Sequence, residues 1–194
     1  NPEIIEFLIA DVTGKGVPAA IFMASMRSVL RTLAQHSDSP TYILKQANRS
    51  IMEDMRAPLF LSCLFARINL NTGELRMANG GHDWPLWVKA AENQVEQVEM
   101  PGFVLGMFKE IEPEETRVTM RPGDCFVFFT DGVTEARNHD GKFYDDDRLE
   151  AIIKANATRS AEEIAHSIIE SVAAFAGGRP LSDDLTLVVI KRKG

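Results

Sequence analysis

Long apolar runs are missing from this 194-residue chain, and none approaches the ~20 residues needed to cross a bilayer as a helix. Basic charge is also short. Lys and Arg number 21 against 28 Asp and Glu, a formal net charge of −7. That balance argues against a chain built to hold a phosphate backbone, which needs a basic face. Cysteine is scarce: Cys63 and Cys125 both fall inside apolar, strand-like runs without a basic neighbour. They read as buried, reduced thiols rather than a disulfide framework or a nucleophile. No Cys or His spacing resembles a zinc site, since His36, His82, His139 and His166 are scattered. Gly14-Lys15-Gly16 is not a P-loop, because Ile9 stands where the first glycine belongs and no Ser or Thr follows the lysine. No Gly-x-Ser-x-Gly elbow exists for a serine hydrolase. Repeats, low-complexity stretches and a secretory leader are equally missing, so the expectation is a cytoplasmic protein. The sequons at Asn48 and Asn156 fall in predicted helices and read as chance matches. The chain starts at Asn1 rather than Met, which reads as a fragment or a processed chain.

What is present suits one domain over residues 1–194, a size that buries roughly 70% of its unfolded surface. Ile4 to Ala10 reads as a strand. From Val17 to Gln35, Ile21, Met23, Met26, Val29, Leu30 and Leu33 recur at helical spacing, with Pro18 tolerated in the first turn. A second helix starts at Ser39-Pro40 and runs to about Met55. The period then changes. Phe60–Leu70 and Glu74–Asn79 form strands around the hairpin signal Asn71-Thr72-Gly73. Further strands are expected at Leu86–Lys89, Gln94–Glu99, Glu115–Met120 and Cys125–Thr130, with Arg121-Pro122-Gly123-Asp124 as turn chemistry. Helical spacing returns at Asp146–Ala155 and Ala161–Ala176, and Leu185–Lys191 closes the chain as a strand. Strands follow strands and helices come in pairs, which specifies α+β with antiparallel sheets rather than a doubly wound parallel sheet.

Three acidic sites share one context, the end of a predicted core strand. Asp11 follows Phe-Leu-Ile-Ala, Asp131 follows Phe-Val-Phe-Phe-Thr, and Asp183-Asp184 precede Leu-Thr-Leu-Val-Val-Ile. Taken singly, a cap, a turn and a solvated loop account for them. Together, carboxylates at strand ends beside glycines that admit close backbone approach make a site for a hard cation, Mg²⁺ or Mn²⁺.

The segments ADVTGKGVPAAIFMA, NLNTGELRMANGGHDWPL, RPGDCFVFFTDGVTEARNHDGKFYDDDRL and SDDLTLVVIKR carry a resemblance. They resemble the PPM-type serine/threonine protein phosphatases, in the bacterial branch typified by the stage II sporulation phosphatase. The match runs in the family's order over almost the whole chain. It implies a four-layer α-β-β-α sandwich of two antiparallel sheets flanked by helix pairs, with two divalent cations, Mn²⁺ or Mg²⁺. By that likeness Asp11 bridges both cations, the Val12 carbonyl is a further ligand, and Asp131 and Asp183 hold the second side. Asp184 is the neighbour that can substitute for Asp183. Asp11, Asp131 and Asp183 are also the residues expected to carry catalysis. The resemblance further implies a phosphoserine or phosphothreonine protein substrate, such as an anti-sigma-factor antagonist, attacked by metal-bound water. It implies a longer signalling chain with an upstream sensor or receiver domain acting near the first helix pair, and a homodimer is a further expectation.

Two departures from the family pattern stand out. The family's upstream metal-binding aspartate has no counterpart here, so the domain is expected to lack its first strand or strands. The loop Asn-Gly-Gly-His-Asp-Trp-Pro also varies the family form, leaving His82 either a helper of substrate or water or part of a turn. A catalytically impaired pseudophosphatase-like binding module is the alternative that the first departure raises.

Overall fold

Side-chain periodicity switches from two to 3.6 and back along the chain, and the secondary structure follows those switches. The structure, a computed structural model, describes residues 3–54, 59–181 and 183–193. The elements are β1 (Ile4–Val12), α1 (Val17–His36), α2 (Pro40–Asp54), β2 (Leu61–Asn69), β3 (Glu74–Gly80), β4 (Leu86–Lys89) and β5 (Gln94–Gln97). They continue with β6 (Glu115–Thr119), β7 (Cys125–Phe129), α3 (Asp131–Thr134), α4 (Asp146–Ala155), α5 (Ala161–Ala176) and β8 (Leu187–Lys191). The predicted α2 terminus at Met55 lies outside the described residues. Three boundaries move by two residues, and several others by one. β1 runs on through Asp11 and Val12, β5 stops two residues early, and β8 starts at Leu187. The four-residue α3 has too few turns to leave a periodic trace in sequence.

The chain divides into two compact units, Asn1–His82 with Met100–Thr119, and Asp83–Glu99 with Met120–Gly194. The first holds an antiparallel sheet in the order β1-β2-β3-β6 with α1 and α2; the second holds β5-β4-β7-β8 with α4 and α5. This is the α+β class expected, with two antiparallel sheets and their flanking helices.

In the first unit, one face of the sheet packs on the helices through Val12, Leu61, Cys63, Phe65 and Ala78, against Met26, Leu30, Ile43, Leu44 and Ala47. Alternation places Ile9 and Asp11 on the other face of β1. Register matters here: a one-residue slip of β1 would turn Asp11 into that apolar cluster and expose Val12. The observed register sets Asp11 opposite Ser62 and Val12 opposite Leu61. In the second unit, Val88, Cys125, Val127 and Phe129 pack against Leu149, Ile153, Ile164, Ile168 and Val172. Each such fully buried side chain contributes roughly 1.5–3 kcal/mol relative to exposure. α5 is fixed at its start by a reciprocal capping box between Ser160 and Glu163 and stopped by Gly177.

Two turns read from sequence form as expected. Asn69 Oδ1 accepts from the Asn71 and Thr72 amides in the β2–β3 hairpin. Buried Asp124 accepts from the Arg121 and Ala90 amides at the start of β7. The sequons are occupied by internal structure: buried Asn48 donates to the Phe108 carbonyl and accepts from the Gly106 amide. Asn156, which caps α4 rather than lying within it, donates to the Ile152 carbonyl. No helix among the described residues is long and apolar enough to cross a membrane.

Candidate metal centre

Asp11 is the penultimate residue of β1, half-buried, with Val12 buried beside it. Past Val12 the chain stays tied to the neighbouring strand, with the Thr13 amide donating to the Phe60 carbonyl and the Phe60 amide to Thr13 Oγ1. It then turns through Gly14 and Gly16, whose φ values of 92° and 83° lie in the left-handed region that suits glycine. Gly16 is itself the N-cap of α1. The capping explanation for Asp11 therefore gives way: the cap residue is a glycine, and Asp11 belongs to the paired strand. The acid and the two glycines have separate jobs, one set by register and the other by the turn.

Asp131 opens α3 directly after β7, with Thr130 as the N-cap residue. Thr130 clamps this corner to the segment before β8. Its amide donates to the Thr186 carbonyl, its hydroxyl donates to the Asp184 carbonyl, and the Thr186 amide donates back to its Oγ1. Gly132 completes the clamp by having no side chain: a Cβ there would lie 2.3 Å from the Asp184 carbonyl oxygen. Two acidic segments 52 positions apart in sequence, at Asp131 and at Asp183-Asp184, are thereby held side by side. Asp183 and Asp184 are exposed, and Asp183 Oδ1 accepts the Asp184 amide.

A further carboxylate joins them that the sequence reading passed over. Asp83, in the loop after β3, has its carboxyl pushed up to about 6, first by desolvation and then by the charges of Asp131 and Asp146, with Glu135 adding to the effect. The side chain is open to solvent on one side, yet the field it feels comes from carboxylates. The sequence signal for it is slight, an Asp directly after His82 in a Gly-Gly-His-Asp-Trp-Pro loop.

The expected ligands thus divide between the units. Asp11 and Val12 belong to the first; Asp131, Asp183, Asp184 and Asp83 belong to the second. Among the described residues, no group of three His, Cys, Asp or Glu side chains is assembled closely enough to hold a metal ion. The donor chemistry nevertheless fits a hard divalent cation. The donors are oxygens, and the charges of Asp131, Asp146 and Glu135 add to desolvation in raising the carboxyl of Asp83.

Other reactive groups fall away. Burial pushes the Cys63 and Cys125 thiols up to about 12, so neither is a nucleophile. His36 and His139 bond backbone carbonyls of Thr32 and Gly177. His82 is buried, and its Nδ1 pairs with Ser62 Oγ at 3.1 Å.

Comparison with known proteins agrees with these observations. The family of Stage II sporulation protein E (SpoIIE) matches residues 2–193, across both units. The chain is 31% identical over 193 residues to the phosphoserine phosphatase RsbU of Bacillus subtilis (strain 168), covering all of this chain and 57% of that protein. It spans little more than half the length of this relative. Among solved structures, the PP2C phosphatase domain of SpoIIE with a fragment of its regulatory domain, from Bacillus subtilis, superposes with a TM-score of 0.82 at 20% identity. That match covers 98% of this chain and 55% of the other. RsbX in complex with magnesium has a TM-score of 0.67 at 17% identity, covering 97% of this chain and 81% of the other. The chain belongs to the SpoIIE family, and its fold is that of the PP2C, or PPM-type, serine/threonine phosphatase domain.

Proposed function

We propose that the chain is a metal-dependent phosphoserine/phosphothreonine protein phosphatase acting in bacterial signalling. The observation that carries this reading is the family match over residues 2–193, which takes in every strand-end carboxylate. Two divalent cations, Mn²⁺ or Mg²⁺, fit the donor set. Asp11 and the Val12 carbonyl would hold them from β1, and Asp131 with Asp183 or Asp184 from the corner clamped by Thr130. Asp83 adds a carboxylate beside Asp131. When bound, the cations supply Lewis acidity toward water and the phosphoryl oxygens, the large term in a reaction that positioned proton transfer alone, worth ~10²–10⁴, cannot carry.

The chain's own residues prepare that centre. The β1 register aims Asp11 away from the apolar cluster under the helices. Thr130 and Gly132 fix Asp131 against the Asp183-Asp184 segment, so that binding spends little on ordering these carboxylates. The substrate is a phosphorylated protein, an anti-sigma-factor antagonist being the candidate that the family suggests. An upstream sensor or receiver domain of a longer chain would act through α1, which leaves the Asp11 turn directly.

Asp131→Asn tests the reading. It keeps the size of the side chain and the backbone carbonyl that accepts from the Glu135 amide, but removes the proposed ligand charge. Mn²⁺-dependent turnover of a phosphoserine peptide should fall on the order of 10²-fold or more, the scale of deleting one charge-stabilising group from a catalytic centre. Thermal melting without metal should be little changed. Turnover near the wild-type level from a folded Asp131→Asn protein would overturn the assignment.

A further inference from the structure

The hairpin that follows α3 presents an arginine that no carboxylate neutralises. It runs from Ala136 to Tyr144 and returns beside its own start. The Tyr144 amide donates to the Ala136 carbonyl at 2.8 Å, and the Asp145 amide donates to the Thr134 carbonyl at 2.9 Å. The hairpin is thus rooted on the short helix that Asp131 opens, wholly within the second unit. Its tip is braced as well. Asn138 Oδ1 accepts from the Asp140 and Lys142 amides, Arg179 donates to the Asn138 carbonyl, and His139 Nε2 bonds the Gly177 carbonyl just past α5.

Arg137 and Phe143 are antiparallel bridge partners across this hairpin, so their side chains share one face. The guanidinium lies over the Phe143 ring, 4.4 Å from its centroid, and both residues are exposed. Glu135, Asp140, Asp145, Asp146 and Asp147 all stand within ten positions of Arg137. Arg148 takes Asp145 as its partner. Among the described residues, Arg137 makes an ion pair with none of these carboxylates and no side-chain hydrogen bond. Stacking covers one face of the guanidinium and leaves the donor fork at its edge open to solvent. A side chain held in place with its donors unused is preorganised for a carboxylate, which the fork binds bidentately.

We propose that Arg137, stacked on Phe143, is a specificity-determining residue that binds an acidic side chain flanking the phosphoserine of the protein substrate. Asp131 and Arg137 are joined by one helical turn and three extended residues, a span of at most roughly 15 Å. An extended peptide covers that distance in about four residues. The neighbouring carboxylates repel an acidic side chain elsewhere on this rim, so attraction and repulsion select the same register. Lys142 lies next to Phe143, and alternation turns it to the opposite face of the hairpin. It separates a local contact from the general field of the hairpin's charges. The inference rests on the phosphatase reading, and the test distinguishes the two.

Two phosphoserine peptides serve as substrates of the full chain with Mn²⁺, one carrying Glu and one Ala about three to five positions to either side of the phosphoserine. The wild type should favour the Glu peptide about 5-fold in kcat/KM, through KM, the upper end for an exposed charge pair. Arg137→Gln removes the charge and should bring that ratio close to one. Arg137→Glu should invert it. Phe143→Leu should lower it to about 2-fold by loosening the guanidinium. Lys142→Ala should leave the ratio as it is, and about 0.5 M NaCl should shrink it. Thermal melts check that each variant is folded. A ratio of one in the wild type, or equal losses from Arg137→Gln and Lys142→Ala, would overturn the proposal and leave the phosphatase reading standing. Turnover of neither peptide by the wild type would overturn both.

Discussion

Asp83 is where a single residue's surroundings have the clearest consequence. Its folded pKa is raised to about 6 from the ordinary 3.8, so folding disfavours its ionised form. The sign follows: Asp83 costs nothing below about pH 4, and its cost grows as the pH rises through 6. Asp83→Asn should therefore raise the melting temperature of the metal-free protein at pH 8 and leave it unchanged at pH 4. Two units would correspond to ~3 kcal/mol. Solvent reaches this side chain, so screening brings the expected gain to about 1 kcal/mol or less, or about 2–4 °C for a chain of this size. Saturating Mn²⁺ should cancel or reverse the difference, because a cation supplies the missing counter-charge. Melting curves at both pH values, with and without Mn²⁺, check this; a gain at pH 4 equal to that at pH 8 would rule out a charge origin.

Among the elements, the corner between β7 and α3 matters most, because it brings distant carboxylates together. Gly132 is not there for an unusual φ; it is there because the Asp184 backbone occupies the space of a side chain. In Gly132→Ala the 183–184 segment must move, and the Thr130 hydrogen bonds to Asp184 and Thr186 lengthen with it. Overpacking of this kind costs about 1–3 kcal/mol. Mn²⁺ affinity should fall as well, since Asp183 and Asp184 leave their positions beside Asp131. Melts and metal titrations of the variant should show both losses; a lost melting temperature with wild-type Mn²⁺ affinity would mean that the clamp serves stability alone.

Across the whole molecule, negative charge is unevenly shared. The second unit carries 17 acidic against 11 basic side chains, the first 11 against 10, together the 28 and 21 that give −7. If the proposed centre holds a cation, binding it should add stability to a chain that gathers carboxylates in this way. At a free Mn²⁺ concentration 100 times the dissociation constant, linkage contributes about 2.7 kcal/mol per site. That corresponds to a rise of about 5–10 °C in melting temperature. Chelation with EDTA should return the melt to its starting point, while an equal ionic strength of NaCl should give a much smaller shift. Equal shifts from both salts would mean general screening rather than a site.

Local pattern determined a great deal. Period-two and period-3.6 spacing placed twelve of the thirteen elements, because each signal lies within a few residues along the chain. The position of Asp131 just past a strand, the inert cysteines and the family likeness were legible for the same reason, whereas Asp183-Asp184 lie in the segment before β8 rather than at its first residue. Position 11 was legible as acidic but not as strand, since Gly14 and Gly16 announce a turn slightly later than the pairing with Ser62 ends. What only the tertiary structure decided is which distant segments meet. The chain leaves the first sheet after β3, builds β4 and β5 into the second, and returns with β6, a choice made by which faces can be buried together. That threading sets Asp83 among the carboxylates of α3 and α4, and it puts His82 on Ser62, 20 residues away. No window of sequence contains both partners of such a contact. Residue types and spacing therefore specify the elements and their chemistry, while packing specifies which of those chemistries act as one site.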